Sequence, residues 1–234
     1  MRVRWALVPV VVALGLGLVV PSSASAAATV TVGQWNLNEG TGARTANDSS
    51  GSGLDGTVGS DITTGVRYDG ATGYRFPTWG RYDVRPQHLV TIPDSSRLDP
   101  GLSDYAVSVR FRTARDYSNV VQKGQGGTPG GNWKVEVYGG VVRCLFHAGN
   151  GTSVAVGSKG RIDDGRWHTV RCGRSGSSAT MYVDGAWQST RTGISGSLSN
   201  SYGIAIGGKS HCDQKTVICD YFAGDVDYLR IQKG

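Results

Sequence analysis

Tyr105-Ala-Val-Ser-Val-Arg-Phe-Arg112 decides the fold class. Tyr105, Val107, Val109 and Phe111 fall on one face and Ser108, Arg110 and Arg112 on the other, the period-two alternation of a half-buried strand. The same period recurs to either side, over residues 29–37, 88–92, 119–122, 133–138, 141–146, 153–156, 167–172, 179–183, 202–206 and 221–231. Turn signals separate these segments: Tyr138-Gly-Gly, His147-Ala-Gly-Asn-Gly, Asp163-Asp-Gly, Asp184-Gly and Gly207-Gly. No window of a dozen residues carries a helical stripe. Short strands at this spacing, polar on their outer face, predict an all-β, two-sheet antiparallel sandwich.

Composition agrees. The 234 residues include 36 glycines, and the acidic residues are almost all Asp, with Glu39 and Glu136 the two exceptions. Glu favours helix more than Asp does, and glycine serves tight turns. A hydrophobic share of 38% excludes both a disordered chain and a multi-span membrane protein. No stretch rich in Pro, Ser or charge divides the chain, so residues 27–234 are expected to form one domain, as a monomer.

The first 26 residues read as a secretory signal peptide. Arg2 and Arg4 precede an apolar run from Ala6 to Val20, and Ala24-Ser25-Ala26 supplies an A-x-A end. Cleavage before Ala27 would leave no membrane span and 22 basic residues against 18 acidic ones. That modest, scattered excess argues against a nucleic-acid partner.

Export makes the cysteines legible. Cys144, Cys172, Cys212 and Cys219 are an even set, and an oxidising compartment favours disulfides. Cys144 shares a face with Val142 and Phe146, and Cys172 with Val170, so both thiols point inward. A bridge between them is expected, across neighbouring antiparallel strands. Cys212 and Cys219 stand seven apart in a polar loop that a turn closes, which gives the second bridge.

Several motifs, taken in order, resemble a laminin-G-like (LamG) domain. They are Trp35-Asn-Leu-Asn-Glu-Gly-Thr-Gly42 followed by Asp48-Ser-Ser-Gly-Ser-Gly-Leu-Asp-Gly56; His88-Leu-Val-Thr-Ile-Pro-Asp94 followed by the deciding strand; Asp164-Gly-Arg-Trp-His-Thr-Val170 followed by Tyr182-Val-Asp-Gly185; and Tyr221-Phe-Ala-Gly-Asp-Val-Asp-Tyr-Leu-Arg-Ile231. The resemblance runs from about residue 30 to the end and implies a concanavalin A-like jelly roll, usually a secreted binding module. It does not name a ligand, since the fold also hosts hydrolases and lyases.

The resemblance also implies a structural calcium between the loop after the first strand and an aspartate on the last. Asp227, with oxygens of the loop at Asp48, is the expected site; it shares parity with Leu229 and Ile231, and Asp225 is its substitute. The alternative left open is that Asp227 caps backbone amides and Asp48 makes an Asx-turn. His168 has the parity of Val170 and reads as architectural. Where LamG domains pass almost directly from an Asp-Gly to the strand near His88, this chain inserts some 15 residues after Asp69-Gly70. They interleave Tyr74, Phe76, Trp79 and Tyr82 with Arg75, Arg81 and Arg85. Tyr74, Phe76, Trp79, Tyr82 and Arg81 are therefore the expected ligand-binding residues, by stacking on sugar rings and by guanidinium hydrogen bonds. The alternative is a satellite core over a sheet edge.

Catalysis is not expected. Glycosidases need a carboxylate pair at a set separation, and no Glu-x-Asp-x-x-Glu, Gly-x-Ser-x-Gly or P-loop occurs. The sequence therefore reads as a secreted module for an extracellular glycan or, alternatively, a protein surface; a polysaccharide hydrolase or lyase built from Asp residues is the lesser alternative.

Overall fold

The computed structural model describes residues 29–78, 86–212 and 219–234. Residues 1–26, Trp79, Arg81 and Tyr82 lie outside the described residues. In chain order the strands are β1 (Val30–Trp35), β2 (Thr45–Ala46), β3 (Gly56–Val58), β4 (Thr63–Tyr68), β5 (Ala71–Phe76), β6 (Val90–Ile92), β7 (Tyr105–Arg112) and β8 (Tyr117–Lys123). They continue with β9 (Gly131–Tyr138), β10 (Val141–Ala148), β11 (Ser153–Arg161), β12 (His168–Ser175), β13 (Ser178–Val183), β14 (Ala186–Thr192), β15 (Ile204–Ile206) and β16 (Gly224–Lys233). Two single-turn 3-10 helices, Pro86–His88 and Ser96–Leu98, flank β6. Among the described residues no helix is long and apolar enough to cross a membrane.

The strands form two eight-stranded antiparallel sheets. The first runs β14-β13-β12-β7-β16-β5-β4, with β1 also paired to β16; the second runs β11-β10-β9-β8-β15-β6-β3-β2. β7 lies at the centre of the first sheet, and Tyr105, Val107, Val109 and Phe111 are buried as its alternation predicts. They pack with Trp35, Trp133, Val135, Phe146, Leu229 and Ile231 in one core between the sheets, where apolar burial supplies the main driving force. Ser189 stitches the facing edges: its hydroxyl donates to the Gly157 carbonyl at 2.8 Å and accepts from the Gly157 N–H at 3.3 Å.

Both expected disulfides are present, Cys144–Cys172 and Cys212–Cys219. The first differs from expectation in its setting. Cys144 lies on β10 of the second sheet and Cys172 on β12 of the first, so the bond crosses the sandwich instead of joining neighbours within a sheet. Inward parity holds on strands of either sheet, and parity alone does not say which sheet.

Two further readings change. The segment after Asp69-Gly70 does not begin as a loop: residues 71–76 are β5, hydrogen-bonded to β4 on one side and β16 on the other. Asp69 and Gly70, with φ of 38° and 80°, make the tight turn between β4 and β5. In consequence Tyr74 and Phe76 point into the core, at 0% and 1% exposure, and do not form a stacking platform. The second change is a bulge in β16. Val226 pairs with Phe111 and Tyr228 with Arg110, so Asp227 is the extra residue. The bulge shifts the parity between Val226 and Leu229, both fully buried, and turns Asp227 out of the core.

Candidate ligand groove

β16 has two neighbours on the side away from β7. Its ladder with β5 ends at Val226, opposite Tyr74, and its ladder with β1 begins at Leu229, opposite Trp35. Asp227 and Tyr228 lie in the interval, at the bulge. The gap opens as a groove of about 360 Å³ lined by Asn36, Asn38, Gly70, Ala71, Thr72, Asp227 and Tyr228. This is within the usual size of a small-ligand site. Asn36 and Asn38 follow β1, and the tight turn at Asp69-Gly70 brings Gly70 to Thr72 to the opposite wall. Asn36 is set in place from both ends of its amide: Gln34 Nε2 donates to its oxygen at 2.9 Å, and its nitrogen donates to Ser49 Oγ at 3.2 Å.

A cluster of arginines and aromatic rings borders the groove on the outer face of the first sheet. Asp227 is ion-paired with Arg110. Asp225, nearly fully buried, accepts from Arg75 Nε at 2.8 Å and Arg112 Nε at 2.7 Å. The Tyr68 and Trp167 rings stack with centroids 4.3 Å apart, and the Arg110 and Arg112 guanidinium carbons stand 4.8 and 5.1 Å from the Trp167 ring centre. Burial, with the Asp227 carboxylate beside it, pushes the Tyr68 phenol well above its ordinary value. Tyr68 reaches across β5 because Gly73 leaves room: a Cβ at 73 would stand 2.3 Å from the Tyr68 hydroxyl oxygen.

Asp48 is committed to its loop. Its Oδ1 accepts from the Gln34 and Ser50 N–H groups at 3.1 and 2.9 Å, and its Oδ2 from the Leu54 N–H at 3.1 Å. Burial alone would raise this carboxyl, but the hydrogen bonds from Ser50, Leu54 and Gln34 outweigh it and hold the pKa below the ordinary carboxylate value. With Asp48 satisfied by amides and Asp227 and Asp225 by arginines, these residues do not fit a calcium ion between the first and last strands. Among the described residues no group of three or more His, Cys, Asp or Glu side chains is placed to hold a metal.

Both glutamates and His168 have structural partners. Glu39 accepts from the Tyr74 hydroxyl at 2.6 Å and from the Asn47 N–H at 2.7 Å. Glu136 pairs with Lys134 at 2.5 Å. His168 bridges Asp184 (2.8 Å from Nδ1) and Asp164 (3.1 Å from Nε2), bracing the turn after β13 against the loop before β12. Asn36, Asn38, Thr72, Tyr228, Tyr68 and Trp167 were not singled out as site residues from the sequence. Asn36, Asn38 and Tyr228 stand inside quoted motifs, but a gap between two strands leaves no mark in residue spacing.

Two antiparallel sheets packed face to face, with a solvent-open groove where one strand changes neighbours, make a jelly roll of the concanavalin A-like type. The chain belongs to the Laminin G domain family, which matches residues 111–234, more than half of the sequence. Among solved structures it is similar to the botulinum neurotoxin serotype G binding domain (16% identity, TM-score 0.62, covering 87% of this chain and 47% of that one). It is also similar to the botulinum neurotoxin serotype D ligand binding domain solved in complex with N-acetylneuraminic acid (10% identity, TM-score 0.61, 87% and 47%). Domains LG4-5 of the mouse laminin alpha1 chain match at 19% identity and TM-score 0.47, over 58% of this chain and 40% of that one. The chain thus spans about half the length, or less, of these structures. No curated protein matches the sequence.

Proposed function

We propose that the protein is a secreted, non-catalytic module that binds an extracellular carbohydrate in the groove at the β16 gap. The observation that carries this reading is the groove's lining. Two asparagines, Thr72 and Asp227 line it together with one aromatic residue, Tyr228. Amides donate and accept at once, a carboxylate takes paired hydroxyls, and an aromatic face takes the apolar side of a sugar ring. Arg110 offsets the Asp227 charge, so the carboxylate stays an acceptor without demanding a cation. The two disulfides fit a protein made for an oxidising compartment. That one fold neighbour was solved with a bound sugar supports the reading at the level of the fold. Glu39 and Glu136, held by structural partners, are not poised as an acid–base pair.

A second reading, a protein partner, is favoured by one feature. Tyr182 and Trp187 oppose each other across the β13–β14 hairpin at the sheet edge, 38% and 52% exposed, with Lys159 Nζ 4.4 Å from the Trp187 ring centre. Exposed Trp and Tyr anchor many protein interfaces. A polysaccharide binding screen of the wild type beside Tyr228→Ala, Asn38→Ala and Trp187→Ala separates the two. Loss of retention in the groove variants alone supports the carbohydrate site. Wild-type retention on no polysaccharide, with capture of a protein abolished by Trp187→Ala, replaces it.

A further inference from the structure

Lys123 ends β8 with its side chain directed into the interior, at 0% exposure. Its ammonium is surrounded by five oxygens: Asp94 Oδ1 at 2.6 Å, Tyr202 O at 2.6 Å, Asn200 O at 2.9 Å, Asp99 Oδ1 at 3.1 Å and Asn200 Oδ1 at 3.4 Å. Two features of this pocket exceed what a lysine needs. An ammonium has three hydrogens to donate, fewer than the oxygens offered. The pocket also supplies two carboxylates to a single positive charge. The Asp99 and Asn200 side chains have partners besides the lysine: Asp99 Oδ2 accepts from Ser199 Oγ at 2.7 Å, Asn200 Oδ1 from the Tyr202 N–H at 2.9 Å, and Asn200 Nδ2 donates to Gly131 O at 2.9 Å.

A mixed set of carboxylate, amide and main-chain carbonyl oxygens with a total charge of two minus is the donor chemistry of a hard divalent cation. We propose that this pocket is a divalent-cation site whose occupant is the chain's own ammonium, and that it binds Ca2+ once the Lys123 side chain is cut back. The lysine then does the work of a metal. It ties the segment between β6 and β7 to the segment before β15, and through Asn200 it holds the start of β9, where the glycine-rich loop 124–131 returns to the sheet. That rim is ordered with no dependence on dissolved calcium. Ca2+ would draw the oxygens in by some tenths of an ångström, to about 2.3–2.6 Å.

Lys123→Ser tests the proposal, with thermal unfolding measured in chelator, in 10 mM CaCl2 and in 10 mM MgCl2. Wild-type protein is expected to melt at one temperature in all three. The variant is expected to melt lower in chelator and to regain about 5 °C in calcium, the rise for a site well above its dissociation constant. Magnesium, which demands a tighter octahedral shell, is expected to do less. Adding Asp94→Asn to the variant should remove the calcium response. A folded variant with equal melting temperatures in chelator and calcium overturns the proposal. Where Lys123→Ser does not fold unaided, refolding from denaturant gives the same decision: recovery only with calcium supports the site, and no recovery with or without it overturns it.

Discussion

Replacing Cys144 and Cys172 together by alanine removes the one disulfide described between the two sheets, and its cost follows from the chain it closes. The cysteines are 28 residues apart. Loop-closure entropy for a loop of that length amounts to about 3.6 kcal/mol at 25 °C, against about 2.4 kcal/mol for the seven-residue separation of Cys212 and Cys219. Cys144 and Cys172 are also fully buried among core side chains, so the double alanine variant loses packing as well. For a domain of this size 1 kcal/mol moves the melting temperature by about 2–4 °C. The Cys144→Ala/Cys172→Ala protein is therefore expected to melt about 7–14 °C below wild type, and Cys212→Ala/Cys219→Ala about 5–10 °C below. Calorimetry of both under non-reducing conditions, at matched pH and concentration, measures the difference. If the 144–172 pair costs less than the 212–219 pair, loop length does not set the ranking.

Other expectations follow from single contacts. Gly73→Ala places a Cβ against the Tyr68 hydroxyl and 2.7 Å from the Val226 carbonyl, and is expected to cost about 1–3 kcal/mol in denaturant unfolding. Asp48→Asn loses one of the two oxygens that hold three main-chain amides and should cost about 1–2 kcal/mol at pH 7. Because the Asp48 pKa is lowered by folding, its stabilisation is present above the unfolded value, near 3.9, and is lost as pH falls below it. The stability difference between wild type and Asp48→Asn should therefore shrink in acid, which unfolding at pH 3 and pH 7 would check. Tyr228→Ala should weaken glycan binding about tenfold, equivalent to about 1.4 kcal/mol, with little change in melting temperature, as titration calorimetry and thermal unfolding together would show.

The sheets were legible where side chains alternate strictly. Tyr105–Arg112 and Val141–Ala148 carry apolar residues at every second position, and both strands stand in the structure as the pattern predicts. β4 and β5 escaped notice because Gly65 and Gly73 interrupt Thr63–Tyr68 and Ala71–Phe76, and glycine has no side chain to show a parity. β14 escaped because Ala186–Thr192 is an edge strand with no buried residue, so burial wrote no pattern into it. Asp227 was placed on the wrong face by a single extra residue, since a bulge inverts every side chain before it relative to those after it. The groove depends on that same bulge and on the change of neighbour from β5 to β1. It belongs to the topology more than to any motif, although Asn36, Asn38 and Tyr228 lay in plain sight. The aromatics of the segment after Gly70 divide: Tyr74 and Phe76 serve the core because β5 is a strand within a sheet, not an exposed loop.

Whether a sugar sits at the β16 gap is decided by mapping amide chemical shifts. The isotopically labelled protein would be titrated with the oligosaccharide that a polysaccharide screen ranks highest, and the shifted amides assigned. Saturable shifts are expected at Asn36, Asn38, Ala71, Thr72, Asp227 and Tyr228, and are expected to disappear in Tyr228→Ala. Shifts gathered instead at Tyr182 and Trp187, or no saturable shift with any oligosaccharide, would contradict it.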